Sequence, residues 1–221
     1  MSGTAMSLEE MCGRYGRLYV AAVADALDEK GLWHQIVDRR IQPLTFQMRV
    51  AGPAFTMLGR PERSTERAIR KGVKAVDAVR PHSVVVMDCS GEEVTGHWGE
   101  LLTHGTMVRG GTGAVIDGGV RDVRAILDLG FPVFCKFRSP ADAKGRWNVV
   151  DFDCPVTIGG VPVRPGDFVV GDADGVVVVP ADLAVEILLE AEQIVAEEDE
   201  VRRRVRNRES VADLYMQYKR F

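Results

Sequence analysis

Two short stretches of the sequence bring together residue types that could bind and transform a small anion. One is the GELL segment at residues 99–102, and the other is the GGVRD segment at residues 118–122. The Arg121 guanidinium offers paired donors for a carboxylate, and the Asp122 carboxylate offers hard oxygen ligands for a divalent cation. The glycines of both segments would clear room for a ligand beside the chain.

The chemistry of these stretches depends on where the sheet and its helices place them. A helix beginning near Gly99 would present free backbone N–H groups and a partial positive charge to a small carboxylate. In an open α/β sheet, ligands gather beyond the carboxyl ends of the strands, and both stretches are expected at such ends. The sequence therefore predicts a site for an anionic carbonyl compound and a cation whose charge could stabilise an enolate.

Each of these residues also has a structural interpretation. Glu100 and Asp122 are natural acids for the first turn of a helix, where the helix dipole favours them. Arg121 could pair with a nearby acid at the surface, a contact of little energetic value. Asp117 is expected to end a strand, and we favour a role in capping the following turn or orienting the Arg121 loop. The functional interpretation is preferred for Arg121 and Asp122, and Glu100 stays open between the two.

Other chemistries find less support. His97 and His104 could share a helix face, but no third residue at a suitable spacing completes a zinc site. The glycines at 110, 111 and 113 do not make a dinucleotide loop, because Ile116 stands where a further glycine is needed. Trp98 could wall the pocket or pack in a subunit interface, and the sequence does not separate these.

Hydrophobic periodicity predicts an α/β fold of the β/β/α three-layer type. Residues 83–88, 113–117 and 132–137 have the pattern of buried strands, and residues 46–58 that of two short strands separated by a bend at Gly52-Pro53. Helices are predicted at 19–31, at 66–79, from Gly99 and at 121–130, the last with Val123, Ile126 and Leu127 inward. The helix from Gly99 should carry Leu101, Gly105 and Val108 on one face.

The second half of the chain has a different pattern. Short β runs after residue 148 are separated by glycine turns and predict antiparallel pairing, with Asp172, Asp174 and Gly175 in a hairpin turn. A long helix is predicted from Ala181 onward, and its basic stretch at 202–208 favours a solvated face or a subunit contact. Without a long linker or an internal repeat, residues 1–221 are expected to form a single domain with central βαβ units and a mixed sheet.

Composition excludes several classes of protein. The chain has 221 residues, 46% of them hydrophobic and 27% charged, which is typical of a globular protein. Its net charge of −4 disfavours nucleic-acid binding. No apolar run approaches the roughly 20 residues that span a bilayer, so no membrane association is expected. Four scattered cysteines without a secretory leader predict reduced thiols and a cytoplasmic location.

The sequence resembles the regulator-of-ribonuclease-E-activity family and the related 4-hydroxy-4-methyl-2-oxoglutarate aldolases. The resemblance rests on the central segment at 99–122, AVADAL upstream of it, GPAFT at 52–56 and the glycine-rich β segment at 159–180. The resemblance extends over residues 19–180. It implies a swivelling β/β/α fold assembled as a homotrimer or homohexamer. In the enzymatic branch it implies a divalent-metal-dependent aldolase that releases pyruvate from a 4-hydroxy-2-keto acid and also decarboxylates oxaloacetate.

The resemblance also implies a role for each matching residue. The amides of Gly99, Glu100, Leu101 and Leu102 would bind the substrate carboxylate, Arg121 would bind substrate oxygens, and Asp122 would ligate Mg²⁺ or Mn²⁺. Glu100 stands where the aldolases typically have an aspartate that takes part in proton transfer, so the acid is kept with one more methylene.

Two functions from different classes follow. The first is a metal-dependent lyase acting on a small 2-keto acid. The second is a non-catalytic regulator that binds an RNA-degrading enzyme. The acid at Glu100 favours the lyase, because a vestigial pocket would have no reason to keep it. A menaquinone methyltransferase is disfavoured, since the sequence has no glycine-rich loop for a nucleotide methyl donor.

Overall fold

Helices and strands alternate along the first part of the chain in the computed structural model, which describes residues 6–64 and 70–219. Within these residues the helices are α1 (Leu8–Tyr15), α2 (Val20–Glu29), α3 (Arg70–Asp77), α4 (Glu100–Val108), α5 (Val123–Asp128), α6 (Ala184–Arg206) and α7 (Val211–Tyr218), with a 3-10 turn at Ala181–Leu183. The strands are β1 (Gln42–Pro43), β2 (Val50–Pro61), β3 (Val84–Asp88), β4 (Gly96–Trp98), β5 (Gly113–Val120), β6 (Val133–Arg138), β7 (Trp147–Phe152), β8 (Val156–Ile158), β9 (Val161–Val163), β10 (Phe168–Asp172) and β11 (Gly175–Val179).

A nine-stranded mixed sheet forms the centre of the described fold. Its order is β1-β6-β5-β3-β2-β10-β11, with β4 paired to β5 and β7 paired to β2, while β8 and β9 form a separate hairpin. Pairing is parallel from β2 through β3 and β5 to β6 and between β4 and β5, and antiparallel elsewhere. Ile36, just before β1, bridges to Val177 in β11, so the two edges approach each other and the sheet is nearly closed.

Valine-rich strands explain why both faces of the sheet are buried. Every residue of β11 is buried, and so is every residue of β3 except the last, Asp88. β-branched side chains favour strands, and a continuous apolar run suits a strand covered on both sides. One apolar cluster lies among β2, β3, β5 and β6, and a second lies between β10–β11 and helices α1, α2 and α6. The predicted α/β class, mixed sheet and long C-terminal helix are confirmed.

Some details of the predicted elements are wrong. β2 runs through Gly52 and Pro53 without a break, because pairing with β3 begins only at Ala54 and the missing proline N–H costs no bond to that strand. β5 continues past residue 117 to Val120, because Gly119 and Val120 pair with both β4 and β6. In α5 the side chain of Leu127 is exposed, since this six-residue helix buries only Ile126.

Two predicted helices need qualification. The first part of the helix predicted at 66–79 lies outside the described residues, and helix is present at Arg70–Asp77. On α4, Leu101 and Val108 do share a face, but that face is turned to solvent, with exposed fractions of 82% and 84%. The inward face of α4 buries Thr103 and Thr106, and Leu102 packs partly buried against the core.

The C-terminal region contains two helices rather than one. After α6 the chain turns and α7 begins, with the Ser210 hydroxyl accepting the Asp213 N–H at 3.3 Å as an N-cap. Three arginines of the basic stretch pair with nearby acids, as Arg202 with Glu198, Arg203 with Glu200 and Arg204 with Glu209. This pairing favours the solvated helix face over a cationic binding surface. No helix within the described ranges is long and apolar enough to cross a membrane.

Helix α2 receives its N-terminal cap from a distant turn. Its N-cap residue, Tyr19, makes no side-chain cap bond, and the Asp172 carboxylate accepts the Val20 N–H at 2.9 Å instead. Asp172 also accepts the N–H of Asp174 at 2.9 Å, and Gly175 has a φ of 144°. The predicted hairpin turn is therefore confirmed, and Asp172 additionally ties the turn to α2.

Replacing Asp172 with alanine should destabilise the fold, because two backbone N–H groups lose their acceptor. A lost cap and a lost buried hydrogen bond together predict a fall of about 2 kcal/mol in the free energy of unfolding, measured by urea denaturation. Asp174→Ala is the matched control, since that side chain is exposed, and it should change stability by less than about 0.5 kcal/mol. Equal losses in the two variants would contradict this role.

Candidate active site

Strands β4 and β5 bring the two predicted stretches together. They run parallel, with Gly96 beside Gly119 and Trp98 beside Val120, so both strands end at the same edge of the sheet. Helix α4 follows β4 directly, and α5 follows β5 after a two-residue turn made by Arg121 and Asp122. The carboxyl ends of parallel strands thus place the start of α4 against the Arg-Asp pair, as the sequence predicts.

These two segments approach each other closely at Gly99. A Cβ atom at Gly99 would lie 2.7 Å from Asp122 Oδ2 and 3.0 Å from Arg121 Cγ. The Glu100 N–H, in the first turn of α4, lies 3.4 Å from Asp122 Oδ2, at the long end of hydrogen bonding. The glycine at 99 therefore makes room for the Arg-Asp pair.

Asp122 holds an uncommon backbone conformation. Its φ of 56° and ψ of 32° lie in the left-handed region, which costs free energy for residues other than glycine and is least unfavourable for asparagine and aspartate. It occupies the N-cap position of α5, yet its side chain makes no cap bond there. The carboxylate, 39% exposed, is directed toward α4 and Arg121 instead.

Arg121 lies between two acids. Its Nε is 3.4 Å from Asp122 Oδ1, and Nη1 is 3.9 Å from Asp142 Oδ1. Neither contact has the short bidentate geometry of a closed ion pair, and the guanidinium is partly exposed. Its donors can therefore reach a carboxylate or keto oxygen brought to the surface of the site.

The start of α4 supplies further donors. Gly99 provides no side-chain cap, and the first amides of any helix have no acceptor within that helix. Glu100 stands at the first helical position, where its carboxylate lies 3.5 Å from His104 Nε2 one turn later. Leu102 packs against the core while Leu101 is exposed, so one side of the helix start is fixed and the other is accessible.

The residues present fit a water-rich magnesium or manganese site rather than a closed protein cage. No group of three His, Cys, Asp or Glu side chains that could hold a metal exists among the described residues. The Asp122 carboxylate is accessible and offers hard oxygens, and Mg²⁺ commonly binds one or two carboxylates while waters and substrate oxygens complete its shell. Asp122 is the residue that would hold such an ion.

Trp98 supports the start of α4 from within the core. Its side chain is fully buried, and its Nε1 donates to Thr103 Oγ1 at 2.8 Å, while that hydroxyl donates to the Gly99 carbonyl at 3.0 Å. Its backbone carbonyl accepts the Arg121 N–H at 2.8 Å. Trp98 is therefore neither a solvent-facing pocket wall nor an interface residue.

The glycines at 118 and 119 serve a different purpose from the one the sequence predicts. Both are buried, and a Cβ at Gly118 would lie 2.5 Å from His97 Nδ1. A Cβ at Gly119 would lie 2.3 Å from the Thr95 carbonyl oxygen. These glycines make room for strand β4 and the His97 ring, and the expectation that they clear space for a ligand is wrong.

His97 and His104 do not share a helix face. His97 lies on β4 with its side chain buried, whereas His104 lies on α4 and is half exposed. The shared helix face on which the zinc hypothesis depended is therefore wrong, because the two residues lie on different elements. Burial lowers the pKa of His97 to about 4, although the nearby Glu92 and Asp117 carboxylates oppose this shift.

Asp117 has a structural role inside β5 rather than after it. One carboxylate oxygen contacts Lys136 Nζ on β6, and the other accepts the Gly159 N–H at 2.8 Å from the β8–β9 turn. Asp117 thus joins a strand to a separate hairpin, and the predicted turn cap is wrong because no turn follows it.

Three residues that the sequence analysis missed also belong to the site or its support. Asp142 contacts Arg121 from the loop before β7, and Glu92 contacts the buried His97. Gly96 is needed because a Cβ there would lie 2.6 Å from the Ser139 carbonyl oxygen and 2.9 Å from Arg121 Cβ. The paired glycines flanking His97 and Trp98 are a sequence signal for close packing, but the partners come from distant segments.

Fold and site together define an α/β protein in which the start of a helix lies beside an Arg-Asp pair at the ends of two parallel strands. Comparison with known proteins gives the family: the model described as RraA-like, Aldolase/RraA, matches residues 20–178. The chain belongs to the Aldolase/RraA family, which confirms the resemblance.

Individual relatives agree with this membership. Protein DlpA of Legionella pneumophila is 35% identical over 76% of this chain, although the chain spans only 27% of the length of DlpA. A protein of Halalkalibacterium halodurans named "Putative 4-hydroxy-4-methyl-2-oxoglutarate aldolase" is 35% identical over 82% of this chain and 81% of its own length. This chain is also similar to the crystal structure of Streptomyces coelicolor RraAS2, described as an unusual member of the RNase ES inhibitor RraA protein family. The TM-score is 0.80 and the sequence identity 30%, and the match covers 90% of this chain and 99% of RraAS2.

The buried His97 predicts a loss of stability in mild acid. The folded state keeps the ring neutral down to a pKa of about 4, whereas the unfolded chain binds a proton near pH 6.5. The unfolded state therefore binds more protons between these values, and the free energy of unfolding should fall as pH drops from 6.5 toward 4, by on the order of 1–3 kcal/mol.

Urea denaturation of the wild type and of His97→Gln at several pH values checks this. The glutamine variant cannot titrate, so its stability should change less between pH 6.5 and 5, a range above the ordinary pKa values of carboxyl groups. Identical slopes for the two proteins would show that His97 is not the group responsible.

Proposed function

We propose that this protein is a divalent-metal-dependent lyase that cleaves 4-hydroxy-4-methyl-2-oxoglutarate or a related 4-hydroxy-2-keto acid to pyruvate. The observation that supports it most is the close approach of Asp122 and Arg121 to the start of α4, for which Gly99 leaves room. Donors for a carboxylate, a guanidinium and an accessible hard oxygen ligand lie together there. Such a set suits a substrate that carries a carboxylate beside a keto group.

Binding would use the helix start and Arg121. The backbone N–H groups of residues 99–102 (Gly99, Glu100, Leu101 and Leu102) would donate to the substrate carboxylate at this helix start. Arg121 would donate to substrate oxygens, and Asp142 would hold its guanidinium on the far side. Two fixed sets of donors on rigid elements would orient the bond to be broken.

The cleavage step forms and breaks a small number of bonds. The C4 hydroxyl loses its proton, the bond between C3 and C4 breaks, and C4 becomes a carbonyl carbon. The electron pair stays on the pyruvyl fragment as an enolate, which takes a proton at C3 to give pyruvate. A divalent cation held by Asp122 would supply positive charge to stabilise the enolate.

Glu100 is proposed to move a proton in this reaction. Its carboxylate lies in the first turn of α4, partly exposed, and contacts His104 at 3.5 Å. In the proposed reaction it would act through one ordered water, a geometry that general acid–base catalysis permits. Loss of carbon dioxide from oxaloacetate leaves the same pyruvate enolate, so oxaloacetate decarboxylation is proposed as a side activity.

Other parts of the proposal concern the protein's surroundings. The four cysteines are free thiols, which supports a cytoplasmic location. The net charge of −4 supports the absence of a nucleic-acid partner. The second candidate function, a non-catalytic regulator of an RNA-degrading enzyme, is supported by the similarity to RraAS2, whose description names RNase ES inhibition.

Asp122→Asn should abolish metal-stimulated pyruvate release while keeping the fold. Asparagine tolerates the left-handed backbone at this position but lacks the charge needed for a cation. Turnover of oxaloacetate in the presence of Mg²⁺ should fall by about 100-fold or more, as measured by coupled pyruvate detection, and chelation of the wild type should have a similar effect.

Asp128→Ala is the matched control, because Asp128 is an exposed acid on α5 that pairs with Arg124 at a distance of 3.9 Å. Its activity should equal that of the wild type. Glu100→Gln should lower turnover with little change in KM if this acid moves a proton. Wild-type protein that releases no pyruvate from oxaloacetate or from a panel of 4-hydroxy-2-keto acids would favour the regulator.

We further propose that the protein assembles as a homotrimer or homohexamer. The outward face of α4 exposes Leu101 and Val108 next to the site, and large exposed apolar side chains in a row favour contact with another protein. A neighbouring subunit over this face would also cover the open side of the helix start.

Val108→Lys should lower the assembly mass measured by light scattering after size exclusion, because a charge would be buried in the contact. Met216→Lys, on the exposed face of α7, is the control and should leave the mass unchanged. A wild-type protein with the mass of one chain, or loss of assembly in the control alone, would contradict this surface.

A further inference from the structure

Directly behind the Arg-Asp pair lies a buried pair of side chains that the proposed reaction does not use. The His97 ring on β4 has no solvent exposure, and its Nδ1 accepts the Gly119 N–H at 3.0 Å. The neutral ring therefore carries its proton on Nε2, which faces Glu92 Oε2 at 2.9 Å. The same Glu92 oxygen accepts the amides of Val94 at 3.2 Å and Thr95 at 2.8 Å.

The hydrogen bond from the Gly119 N–H to His97 lies where the regular pairing of β4 and β5 is interrupted. The register shifts between Gly96 and Trp98, and on its other side β5 shifts against β6 between Ile116 and Gly119. At this irregular point a side chain, rather than a backbone carbonyl, accepts the Gly119 N–H. The next bond along, from the Arg121 N–H to the Trp98 carbonyl at 2.8 Å, leads directly into the site.

The surrounding residues are shaped to hold the imidazole in one orientation. Trp147 packs against it edge to face with ring centroids 4.7 Å apart, and the Phe137 ring also lies edge to face, with its centroid at 6.5 Å. Gly118 lacks the Cβ that would lie 2.5 Å from Nδ1. A ring that is fixed by packing holds its hydrogen-bond partner, here the Gly119 N–H, in a defined position better than a mobile side chain can.

We propose that His97 and Glu92 form a positioning pair that fixes the Gly119–Asp122 segment against the start of α4, so that Arg121 and Asp122 meet the substrate in register. The pair acts through Gly119 and does not touch substrate. This inference rests on the proposed function for its catalytic consequence, but its structural part concerns the free protein.

A role limited to core stability would not need these side chains. An apolar residue of similar size fills a core at no desolvation cost, whereas a buried polar pair costs free energy of desolvation and is useful where it selects one geometry. Asp122 has a strained left-handed backbone conformation, and strain of this kind persists only where the surroundings impose it. The 119–122 segment should therefore relax when the His97 side chain is removed.

The test compares His97→Leu with His97→Asn. Leucine leaves the Gly119 N–H without an acceptor, whereas the asparagine Oδ1 can occupy the place of Nδ1 and accept it. We expect the leucine variant to lose about 10- to 100-fold in turnover of oxaloacetate with Mg²⁺, as small displacements of catalytic groups do. The asparagine variant should recover most of this loss.

A readout without substrate separates this inference from the proposed function. Amide hydrogen exchange of the peptides covering residues 119–123 should be faster in His97→Leu than in the wild type, and close to the wild type in His97→Asn. Asp172→Ala is the matched control, because it destabilises the fold at a remote turn and should alter neither exchange at 119–123 nor turnover beyond its global effect.

Each outcome has a defined meaning. Wild-type exchange and turnover in His97→Leu, no recovery in His97→Asn, or equal effects from Asp172→Ala would overturn the positioning role. Slow turnover in every protein, with the expected exchange pattern, would reject the lyase and keep the positioning role. If His97→Leu does not fold, Glu92→Ala tests the pair from its other end, and normal exchange at 119–123 in that variant would overturn the inference.

Discussion

The parallel contact between the ends of β4 and β5 is the constraint on which the candidate site depends. Two strands that end together bring a helix start to within 3.4 Å of a carboxylate from another part of the chain. Gly96 avoids a clash with the Ser139 carbonyl oxygen and Arg121 Cβ, and Gly99 leaves room for the Asp122 and Arg121 side chains. Every proposed contact with a substrate or cation follows from this approach.

Electrostatics gives this contact its chemical character. The free amides of α4 and the Arg121 guanidinium favour an anion, while the Asp122 carboxylate favours a cation, and both kinds of group are accessible. Asp122 contacts Arg121 without a short bidentate bond and does not cap its own helix. The open pairing and the left-handed backbone keep its oxygens available, at a cost in backbone free energy that the surrounding β4–β5 packing must offset.

Local sequence rules predicted much of this arrangement. The buried strands, the helix starting at Gly99 and the hairpin turn at Gly175 follow from periodicity and turn chemistry that a few neighbouring residues specify. The proximity of Gly99, Glu100, Arg121 and Asp122 followed from one rule about strand ends and from the family resemblance. The same rules failed for Gly118 and Gly119. A glycine indicates that another group lies close to the backbone, but the sequence does not show which distant group that is.

The sequence alone determined the α/β class, the strands at the centre of the sheet and the residue types proposed to bind an anion and a hard cation, since these depend on residue type and short-range spacing. Only the tertiary structure decided that His97 is a buried support, that Asp117 joins β5 to the β8–β9 turn, and that Leu101 and Val108 face outward. Those outcomes depend on which segments meet across long separations in the chain. Burial, packing and hydrogen-bond partners arise from these long-range contacts, so a local sequence pattern does not specify them.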